Sequence, residues 1–497
     1  SMLKTMAYYL IIICAAVAVL LAYYYILVFN FWKKRNISGP KPVFFFGNVI
    51  DIMFSGIALP QYIKKLYETY TGRMIGLYMR TTPVLVLKDP ELIKDVLIRD
   101  FSKFTDRGFN VEPLSQHLFN LEAKRWRPLR SKLTVYTSGK LKNMFDLIIE
   151  CANYFEKYLD KMVAQGEPVD FREITAKFTT DVIGSCAFGI NMGALSDEES
   201  EFRKIGKQIF EPSLEAIIRM KFKLMMPKLY DLLGYIVPDR RLAPFLTKVV
   251  VDTMKYRKEN NVYKPDFIHT LMQLKEDPEK LHDLGTFNNS LITAQAYVFF
   301  AAGFETGSTT MSNALYELAL NPKIQEKLRD EINEHYKKHN GELNYEHIKD
   351  MEYLDKVFKE TLRMYPPGTL IPRKSNSEYI FRDSQISIPK GVMVWIPVYA
   401  IHRDPEIYPN PDVFNPENFT RDAIDARHPM HYLPFGSGPR NCIGARFAVY
   451  QTKVGIITIL RKYKVDICEK TMIPYQFDPS AFLLAPKGGI CLKITKI

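Results

Sequence analysis

The chain has 497 residues, 47% of them hydrophobic and 25% charged, a composition that indicates a folded globular protein with a large core and excludes disordered, collagenous and coiled-coil chains. Lysine and arginine outnumber aspartate and glutamate by 67 to 55, an excess that suits an acidic partner or an anionic membrane surface. Because the basic residues are spread along the chain without forming an arm, we do not expect nucleic acid as a partner.

The first predicted element is an apolar segment at the N-terminal end. No charged residue stands between Thr5 and Trp32, and residues 6–29 are almost wholly apolar. As a helix, these residues span about 35 Å at 1.5 Å per residue, which exceeds the roughly 30 Å of a hydrocarbon core. The segment is too long and too rich in tyrosine for a cleaved secretory signal. It predicts a single membrane-spanning helix, with residues 1–35 as an N-terminal anchor.

The charges beside the anchor predict its orientation. Three basic residues at 33–35 follow the apolar segment, whereas Lys4 alone precedes it. The positive-inside rule therefore places the rest of the chain in the cytosol. Residues 36–43 are rich in proline and glycine and predict a stiff hinge, after which residues 44–497 form one domain.

The body contains two strand-rich regions separated by a long helical part. Alternating residues predict a hairpin over 73–87, and Tyr379–Val398 predicts a second strand-rich patch with Pro389-Lys390-Gly391 as its turn. Apolar residues at helical spacing predict four long helices, which are Leu141–Val163, Asn288–Leu320, Pro322–Tyr336 and Tyr345–Met364. The expected fold class is mostly α with a small β part.

The cysteines show no C-x-x-C pair and no adjacent histidine cluster. We therefore expect neither a structural zinc site nor a disulfide framework, and we expect the body to lie in a reducing compartment. A cysteine that carries chemistry would act alone. The six cysteines are Cys14, Cys151, Cys186, Cys442, Cys468 and Cys491.

One of these cysteines lies in a glycine-containing loop, Phe435-Gly436-Ser437-Gly438-Pro439-Arg440-Asn441-Cys442-Ile443-Gly444. The glycines let backbone approach a flat ligand closely. The apolar run that follows predicts a helix whose N-terminus favours a Cys442 thiolate, and Arg440 adds a nearby cation. The loop lacks the third glycine of a dinucleotide fingerprint and the Gly-Lys-Ser/Thr of a P-loop. Nothing in it indicates the histidine partner of a cysteine hydrolase.

This loop resembles the haem-binding signature of the cytochrome P450 superfamily of haem-thiolate monooxygenases at Phe435, Gly438, Arg440, Cys442 and Gly444. The resemblance implies the cytochrome P450 fold, with a single catalytic domain behind an N-terminal transmembrane helix. It also implies haem b, iron protoporphyrin IX, as cofactor, with Cys442 as the axial thiolate ligand of iron. In that family the thiolate promotes cleavage of the O–O bond. Phe435 and Gly438 would contact the cofactor.

A second motif, Ala302-Gly303-Phe304-Glu305-Thr306, lies within the predicted helix over 288–320. A glycine costs about 1 kcal/mol against alanine inside a helix, so close helix packing is one explanation of Gly303. The motif is similar to the oxygen-binding helix of the family, which implies instead a gap beside the cofactor. The same resemblance implies that Glu305 and Thr306 are the catalytic acid–alcohol pair that relays protons.

Further motifs match the family in chain order. Trp126 and Arg130 form its W-x-x-x-R pattern and would hold the haem propionates, and Arg373, Arg440 and Arg107 match further propionate contacts. Glu360 and Arg363 alone would be an ordinary surface pair. By resemblance they form a buried structural pair close to the haem-binding loop. Asn418 stands where family members carry a third, charged partner, and it can donate a hydrogen bond but supplies no charge.

Segments that line the substrate pocket in the family can also be matched by resemblance, although each apolar residue in them would otherwise be an ordinary core residue. The predicted pocket residues are Phe109, Phe119, Phe210, Leu214, Val298, Ala301, Ala302, Thr369, Leu370, Phe482 and Leu483.

The chain has no nicotinamide-binding fingerprint, so its electrons must come from another protein. The resemblance implies NADPH–cytochrome P450 reductase, with NADPH used only indirectly and a b-type cytochrome as a second donor. It implies O₂ and a lipophilic small molecule as substrates and a single-pass anchor in the lipid of the endoplasmic reticulum membrane. The motifs are most similar to those of microsomal insect members that oxidise plant toxins and insecticides; an endogenous lipophile is equally compatible.

Two other functions remain open from the sequence. One is a haem-thiolate isomerase or dehydratase that rearranges peroxides without O₂ or a reductase, although such members usually lack the acid–alcohol pair. The other is a non-enzymatic haem-based sensor of a gas or lipid. Consumption of O₂ and NADPH with substrate would distinguish the monooxygenase from both.

Overall fold

Apolar residues at helical spacing build most of this chain, and the fold class expected from them is confirmed. The computed structural model describes residues 2–109, 113–133, 138–196, 198–210, 214–226, 229–230, 242–276, 287–481 and 483–497. The α-helices are α1 (Met2–Phe29), α2 (Val49–Phe54), α3 (Leu59–Thr69), α4 (Pro90–Lys94), α5 (Ala123–Lys132), α6 (Ser138–Gln165), α7 (Phe171–Ile183), α8 (Glu201–Phe210), α9 (Leu214–Met225), α10 (Leu242–Glu259), α11 (Phe267–Glu276), α12 (Asn289–Leu320), α13 (Pro322–Lys338), α14 (His347–Asp350), α15 (Glu352–Met364), α16 (Val398–Ile401), α17 (Arg421–Asp425) and α18 (Ala445–Lys462).

The strands form three small sheets. They are β1 (Met74–Met79), β2 (Thr82–Leu87), β3 (Val169–Asp170), β4 (Ile371–Lys374), β5 (Tyr379–Ile380), β6 (Ser387–Ile388), β7 (Met393–Ile396), β8 (Tyr463–Asp466) and β9 (Cys491–Lys496). The largest sheet has the order β1-β2-β7-β4, in which only the β2–β7 pair is parallel. A second sheet has the order β3-β9-β8, and β5 pairs with β6.

The predicted hairpin is confirmed. Strands β1 and β2 pair antiparallel, with Met74 opposite Leu87 and Met79 opposite Thr82. The second strand-rich patch differs from its prediction, because the turn at Pro389-Lys390-Gly391 does not join two paired strands. Before the turn, β6 pairs with β5, whereas after it β7 enters the largest sheet between β2 and β4.

The helix predicted over Tyr345–Met364 is two helices, separated at Met351. The carboxylate of Glu331 on α13 accepts hydrogen bonds from the backbone N–H groups of Tyr353 and Leu354, at 2.8 and 2.9 Å. These are N–H groups of the first turn of α15, which a continuous helix would bond internally. The carboxylate from a neighbouring helix thus starts a new helix, a cause that lies outside the local sequence.

Helix α12 is the centre of the large core. Nearly all of its second half is buried, and it packs against α7, α15 and α18. Asn288 caps its N-terminus by accepting a hydrogen bond from the backbone N–H of Leu291 at 2.9 Å, a conventional N-cap.

The N-terminal helix is mostly exposed, and residues Thr5–Arg35 are long and apolar enough to cross a membrane. Its last turns, however, pack on the largest sheet. Trp32 is buried, and its indole N–H donates to the Leu77 carbonyl at 3.0 Å. The Tyr78 hydroxyl donates to the Phe29 carbonyl at 2.9 Å, and Tyr25 stacks against Phe44. The N-terminal helix therefore continues directly into the body.

The segment predicted as a hinge also lies against this sheet. The backbone N–H of Gly76 donates to the Ser38 carbonyl at 2.9 Å. A side chain at Gly39 would collide with the Gly76 carbonyl, 1.7 Å from the position of its Cβ. A side chain at Gly76 would in turn collide with the Trp32 ring. Because neither Gly39 nor Gly76 has a side chain, the backbone after the N-terminal helix packs directly against β1.

The contacts of Tyr25, Phe29 and Trp32 with the body determine which N-terminal residues can be deleted without loss of stability. Deleting residues 2–24 is expected to release the chain from membranes while preserving its thermal midpoint, because Tyr25, Phe29 and Trp32 remain. Deleting residues 2–32 is expected to release it equally but to cost about 3–5 kcal/mol, the usual effect of removing a buried tryptophan. Membrane flotation and thermal unfolding of both truncated proteins test this. If the protein lacking 2–24 floats with membranes like the full chain, the single-anchor prediction is wrong.

Candidate active site

The loop before α18 presents Cys442 as the sequence predicts. The backbone N–H of Cys442 donates to the Phe435 carbonyl at 2.8 Å, which closes the loop. Gly436 and Gly438 have φ values of +69° and +74°, a region that side-chain-bearing residues rarely adopt. The Cβ of any residue at 438 would lie 1.9 Å from the Leu97 carbonyl oxygen. The second glycine is thus required for packing as well as for the turn.

Cys442 differs in its surroundings from the other cysteines that follow the N-terminal helix, in which Cys14 is exposed. Cys151 and Cys186 are buried and Cys468 and Cys491 are half-buried, whereas Cys442 is accessible although it lies deep in the fold. The residue therefore borders an open space within the fold.

Burial raises the pKa of the Cys442 thiol, and three groups oppose that effect. They are the backbone N–H of Gly444 and the guanidinium groups of Arg130 and Arg107. The sequence suggested Arg440 as the nearby cation. In the structure Arg440 turns away, and its guanidinium donates to the carbonyls of Phe119 and Leu121. The cations that favour the thiolate come from two other segments of the chain.

Four arginines predicted to hold the cofactor converge around this loop. The guanidinium of Arg107 donates to the carbonyls of Phe119 and Arg440, both at 3.0 Å. Arg130 donates to the Asn441 side-chain oxygen at 3.2 Å. Arg440 lies 4.4 Å from the ring centroid of Trp126, so the predicted pair at Trp126 and Arg130 adjoins the same cluster. Arg373, on β4, is buried.

The cluster carries more positive charge than its protein neighbours neutralise. Burial, with repulsion from Arg373, lowers the pKa of Arg440 to about 9, and burial lowers that of Arg373 to about 10. Burial and repulsion from Arg373 and Arg440 lower the pKa of Arg107 well below its usual value. Within the described part of the chain, the Nε atoms of Arg373 and Arg440 are buried without a hydrogen-bond partner. An anionic ligand would supply both the missing acceptors and the missing charge.

One face of α12 is accessible. Val298, Ala302 and Thr306 follow each other at intervals of four residues and therefore share a face. Ala302 is exposed and the other two are half-buried, although they lie mid-helix, whereas the neighbouring Ala301 is buried. The Thr306 hydroxyl donates to the Ala302 carbonyl at 2.8 Å. Its proton is thus engaged, and the oxygen remains able to accept a hydrogen bond from the open side.

Gly303 does not leave the gap that the family resemblance implied. Its Cβ would lie 2.4 Å from Cδ1 of Ile183 on α7, so the missing side chain is filled by a neighbouring helix. The Gly303 carbonyl accepts a hydrogen bond from the Gln451 side chain at 3.0 Å. Close helix packing, the ordinary explanation, accounts for this glycine.

Glu305 is buried and ion-paired with Arg172 on α7, which also donates to the Thr309 hydroxyl at 3.2 Å. Successive residues of a helix point about 100° apart, so Glu305 and Thr306 face different neighbours. A proton relay through Glu305 therefore requires its pair with Arg172 to open. Sequence reasoning missed Arg172 because no local pattern links residues 133 positions apart.

The predicted structural pair is fully buried. Arg363 and Glu360 share two hydrogen bonds, at 2.7 and 2.8 Å. The Arg363 guanidinium also donates to the carbonyls of His402 and Pro411, at 2.9 and 2.8 Å. Asn418 replaces a charged partner, yet its amide donates to the Glu360 carboxylate at 3.1 Å. Asn418 thus supplies the hydrogen bond of a third partner but not its positive charge.

The predicted pocket residues are only partly brought together. Phe109 and Phe119 are partly exposed and stack with ring centroids 6.0 Å apart, and Arg107 lies over the Phe119 ring. Phe210 packs edge-on against Phe304 at 5.5 Å. In contrast, Leu214 at the start of α9 is 73% exposed.

The C-terminal members of the predicted pocket lie in different places. Leu370 packs beside the largest sheet, and the Thr369 carbonyl accepts a hydrogen bond from the backbone N–H of Tyr399 at 3.1 Å. Leu483 is half-buried, and Phe482 lies outside the described residues. Sequence reasoning missed Gln295 on α12, whose side chain bonds the backbone of Leu118 and Gln116 at 2.8 Å and fixes the loop beside Phe119.

In a haem-thiolate protein a cysteine ligates iron and cations pair with two carboxylates, and this mostly helical fold offers an accessible thiol beside uncompensated guanidinium groups. The chain belongs to the cytochrome P450 family, since the family described as Cytochrome P450 matches residues 37–492. It is a monooxygenase that uses haem with thiolate ligation and receives its electrons from a redox partner.

Insect members of the family are similar to this chain over nearly its whole length. "Probable cytochrome P450 6a13" of Drosophila melanogaster is 41% identical over 477 residues, covering 94% of each chain. "Cytochrome P450 6B1" of Papilio polyxenes is 37% identical over 484 residues, which cover 94% of this chain and 95% of that protein. "Cytochrome P450 6A1" of Musca domestica is 36% identical over 482 residues, covering 94% of each. The likeness to insect members inferred from the motifs is confirmed.

The residues of the site fit haem. Cys442 is accessible, as a residue that ligates the iron must be. The orphaned Nε atoms of Arg373 and Arg440 are donors that the two carboxylates of a haem could occupy. The fit comes from the chemistry of the donor set, a thiol beside an excess of guanidinium groups.

Proposed function

We propose that this protein is a membrane-anchored monooxygenase of the endoplasmic reticulum that oxidises lipophilic small molecules, such as plant toxins, insecticides or endogenous lipophiles. Residues 1–35 would anchor it, residues 36–43 would lead into the catalytic domain of residues 44–497, and that domain would face the cytosol. The observation that carries the proposal is the exposed face of α12, where the half-buried hydroxyl of Thr306 stands beside Ala302 and Val298.

In this proposal each site residue has a separate task. Haem, when bound, supplies the iron at which O₂ is activated. Cys442 would ligate that iron, and the Phe435 carbonyl would hold the Cys442 backbone in place. Trp126 and the four arginines would orient the propionates, which the unneutralised charge of the cluster supports. Gly438 would let the loop that carries Cys442 pass close to the Leu97 carbonyl, where a side chain would collide.

Thr306 would control where a proton is held. Because its hydroxyl donates to the Ala302 carbonyl, its oxygen is oriented to accept a hydrogen bond from a water on the open side. A water held there can deliver its proton at a fixed position. Glu305 would replenish protons after separating from Arg172, so Arg172 sets how readily the acid is available.

Exposed basic residues surround the Cys442 loop and support docking of NADPH–cytochrome P450 reductase, with a b-type cytochrome as a second donor. Helix α5 adjoins the loop through the bond between Arg130 and Asn441. A cavity of about 520 Å³ beside the loop is lined by Arg446, Lys142 and Lys349 among others. Electrostatic attraction to an acidic partner would guide electron delivery here. The exposed basic residues of α5 and of the first two turns of α6 are Lys124, Arg127, Lys132, Lys140 and Lys142.

Thr306→Ala is expected to retain haem and substrate binding but to divert electrons from NADPH to hydrogen peroxide or water, because no hydroxyl then holds the proton-donating water. Glu305→Gln is expected to slow product formation by roughly 10²-fold, the usual effect of losing a general acid. The measurement is product formed and peroxide released per NADPH consumed, with added reductase.

Thr310→Ala is the matched control. Thr310 stands one turn further along α12, is buried, and donates its hydroxyl to the Thr306 carbonyl at 2.8 Å. The Thr310→Ala variant loses the same kind of hydrogen bond within the helix, but the open face is unchanged. We therefore expect its coupling, the product formed per NADPH consumed, to equal that of the wild type. Equal coupling in wild type, Thr306→Ala and Glu305→Gln would contradict the proposal. Turnover of peroxides without NADPH would favour an isomerase or dehydratase, and ligand binding without turnover a sensor.

A further inference from the structure

Three histidines meet at the end of α13, in a part of the chain that the haem site does not use. His335 lies in the last turn of α13, His339 follows that helix, and His347 begins α14. Their ring centroids lie 3.9 to 4.8 Å apart. One nitrogen of each ring lies within 4.8 Å of the corresponding nitrogens of the other two.

Two of these rings have nitrogen atoms without a protein partner. The Nε2 atoms of His335 and His339 are buried and make no hydrogen bond to any residue that the structure describes. His335 is only 8% exposed, so water does not readily replace the missing partner. His347 has polar neighbours instead, since its Nε2 lies 3.0 Å from the Asn344 side-chain amide and its Nδ1 accepts a hydrogen bond from the Asn344 backbone N–H at 3.3 Å. A metal ion bound to His347 would replace one of these two contacts.

The charges around the three histidines favour the binding of a cation. Burial lowers the pKa of both His335 and His339, and repulsion between the histidines and from Lys338 adds to this effect. Both shifts favour the neutral imidazole, in which one ring nitrogen carries a lone pair. The Asp350 carboxylate acts in the opposite direction and attracts positive charge to the same place.

We propose that His335, His339 and His347 form a binding site for a divalent transition-metal ion of the zinc type. Two histidines four residues apart share a helix face, and neutral imidazole is a preferred ligand of zinc, nickel and copper. Zinc–nitrogen bonds of about 2.0–2.1 Å in a tetrahedron place the nitrogens about 3.3 Å apart, so small rotations of the rings complete the site. Three protein ligands leave one position for water.

The site would tie together two helices and the segment between them. That segment carries Tyr345, which stacks on Tyr450 of α18 with ring centroids 4.3 Å apart. It also carries Glu346, which lines the cavity beside Arg446. Binding of the metal would thus stiffen the surface next to the Cys442 loop without contacting that loop.

The competing explanation is a stack of three neutral rings that binds nothing. It leaves the buried Nε2 of His335 unsatisfied, which ordinarily costs free energy in a folded protein. A bound metal ion would satisfy it directly. The two explanations differ in zinc content and in the effect of zinc on stability.

The test uses the full-length, haem-loaded protein in detergent, prepared without a polyhistidine tag and stripped of metal by a chelator. Equilibrium dialysis against ZnCl₂, with zinc and iron measured by mass spectrometry, is expected to give one tightly held zinc per haem iron. His339→Gln and His347→Gln are expected to weaken this binding by about 100-fold, at least the effect of losing an outer-shell partner of a metal ligand. His269→Gln, a half-buried histidine on α11, is the control and should bind zinc normally.

Thermal unfolding is the second measurement. Zinc is expected to raise the midpoint of wild type and of His269→Gln, and to leave the midpoints of the two cluster variants unchanged. Zinc binding that is equal in all four proteins places the metal elsewhere and overturns the proposal. Absence of bound zinc from the wild type also overturns it, in favour of the neutral ring stack. Because activity is not the readout, neither result depends on the proposed function.

Discussion

Cys442→Ser is expected to abolish the red-shifted Soret band that the reduced carbon-monoxide complex of a haem-thiolate protein shows. That band requires sulfur as the axial ligand, and a serine oxygen is a poorer electron donor. Monooxygenase activity should fall with it. The measurement is the difference spectrum of the reduced protein with and without carbon monoxide, normalised to bound haem.

Cys468→Ser is the matched control for this variant. Cys468 is the half-buried neighbour of Cys491, whose carbonyl its thiol contacts at 3.6 Å, and it lies in no glycine loop. Its replacement should leave the band unchanged. A Cys442→Ser protein that keeps the full band would mean that a different cysteine ligates the iron.

Arg363→Met is expected to destabilise the protein by about 3–5 kcal/mol, because removal of one partner leaves the other charge buried and uncompensated. Glu360 would keep hydrogen bonds from the Asn415 backbone and the Asn418 amide, but it would lose its only cation at bonding distance among the described residues. The His402 and Pro411 carbonyls would lose their donor as well. Denaturant unfolding followed by circular dichroism measures the change.

The same spacing on the surface provides the control. Lys349 pairs with Glu346 three residues earlier, and both side chains are more than half exposed. Lys349→Met should change stability by less than about 1 kcal/mol, since exposed pairs contribute little. Equal effects of the two substitutions would show that the buried pair does not stabilise the fold.

Features that depend on neighbouring residues could be predicted from the sequence. The periodicity of α12 located its start to within one residue, and a turn between two alternating runs predicted the β1–β2 hairpin. The spacing of the loop at 435–444 singled out Cys442 because glycines and a following helix act locally on that side chain. These signals need no knowledge of the rest of the fold.

Features that depend on distant segments could not be predicted. The break at Met351 exists because Glu331 caps a helix that begins more than twenty residues later. Gly303 accommodates Ile183 from another helix, and Glu305 is bound by Arg172. In each case the local sequence is compatible with both the predicted and the observed arrangement, and a contact with a distant segment selects the observed one.

The buried arginines have a consequence for how the protein is produced. Each lowered pKa means that a charged guanidinium is less stable in the folded chain than in water, so the chain without an anionic ligand folds against that repulsion. A ligand that binds only the folded state stabilises it by about 4 kcal/mol at a thousandfold excess over its dissociation constant. We therefore expect that more of the newly made chain escapes proteolysis when haem supply keeps pace with its synthesis.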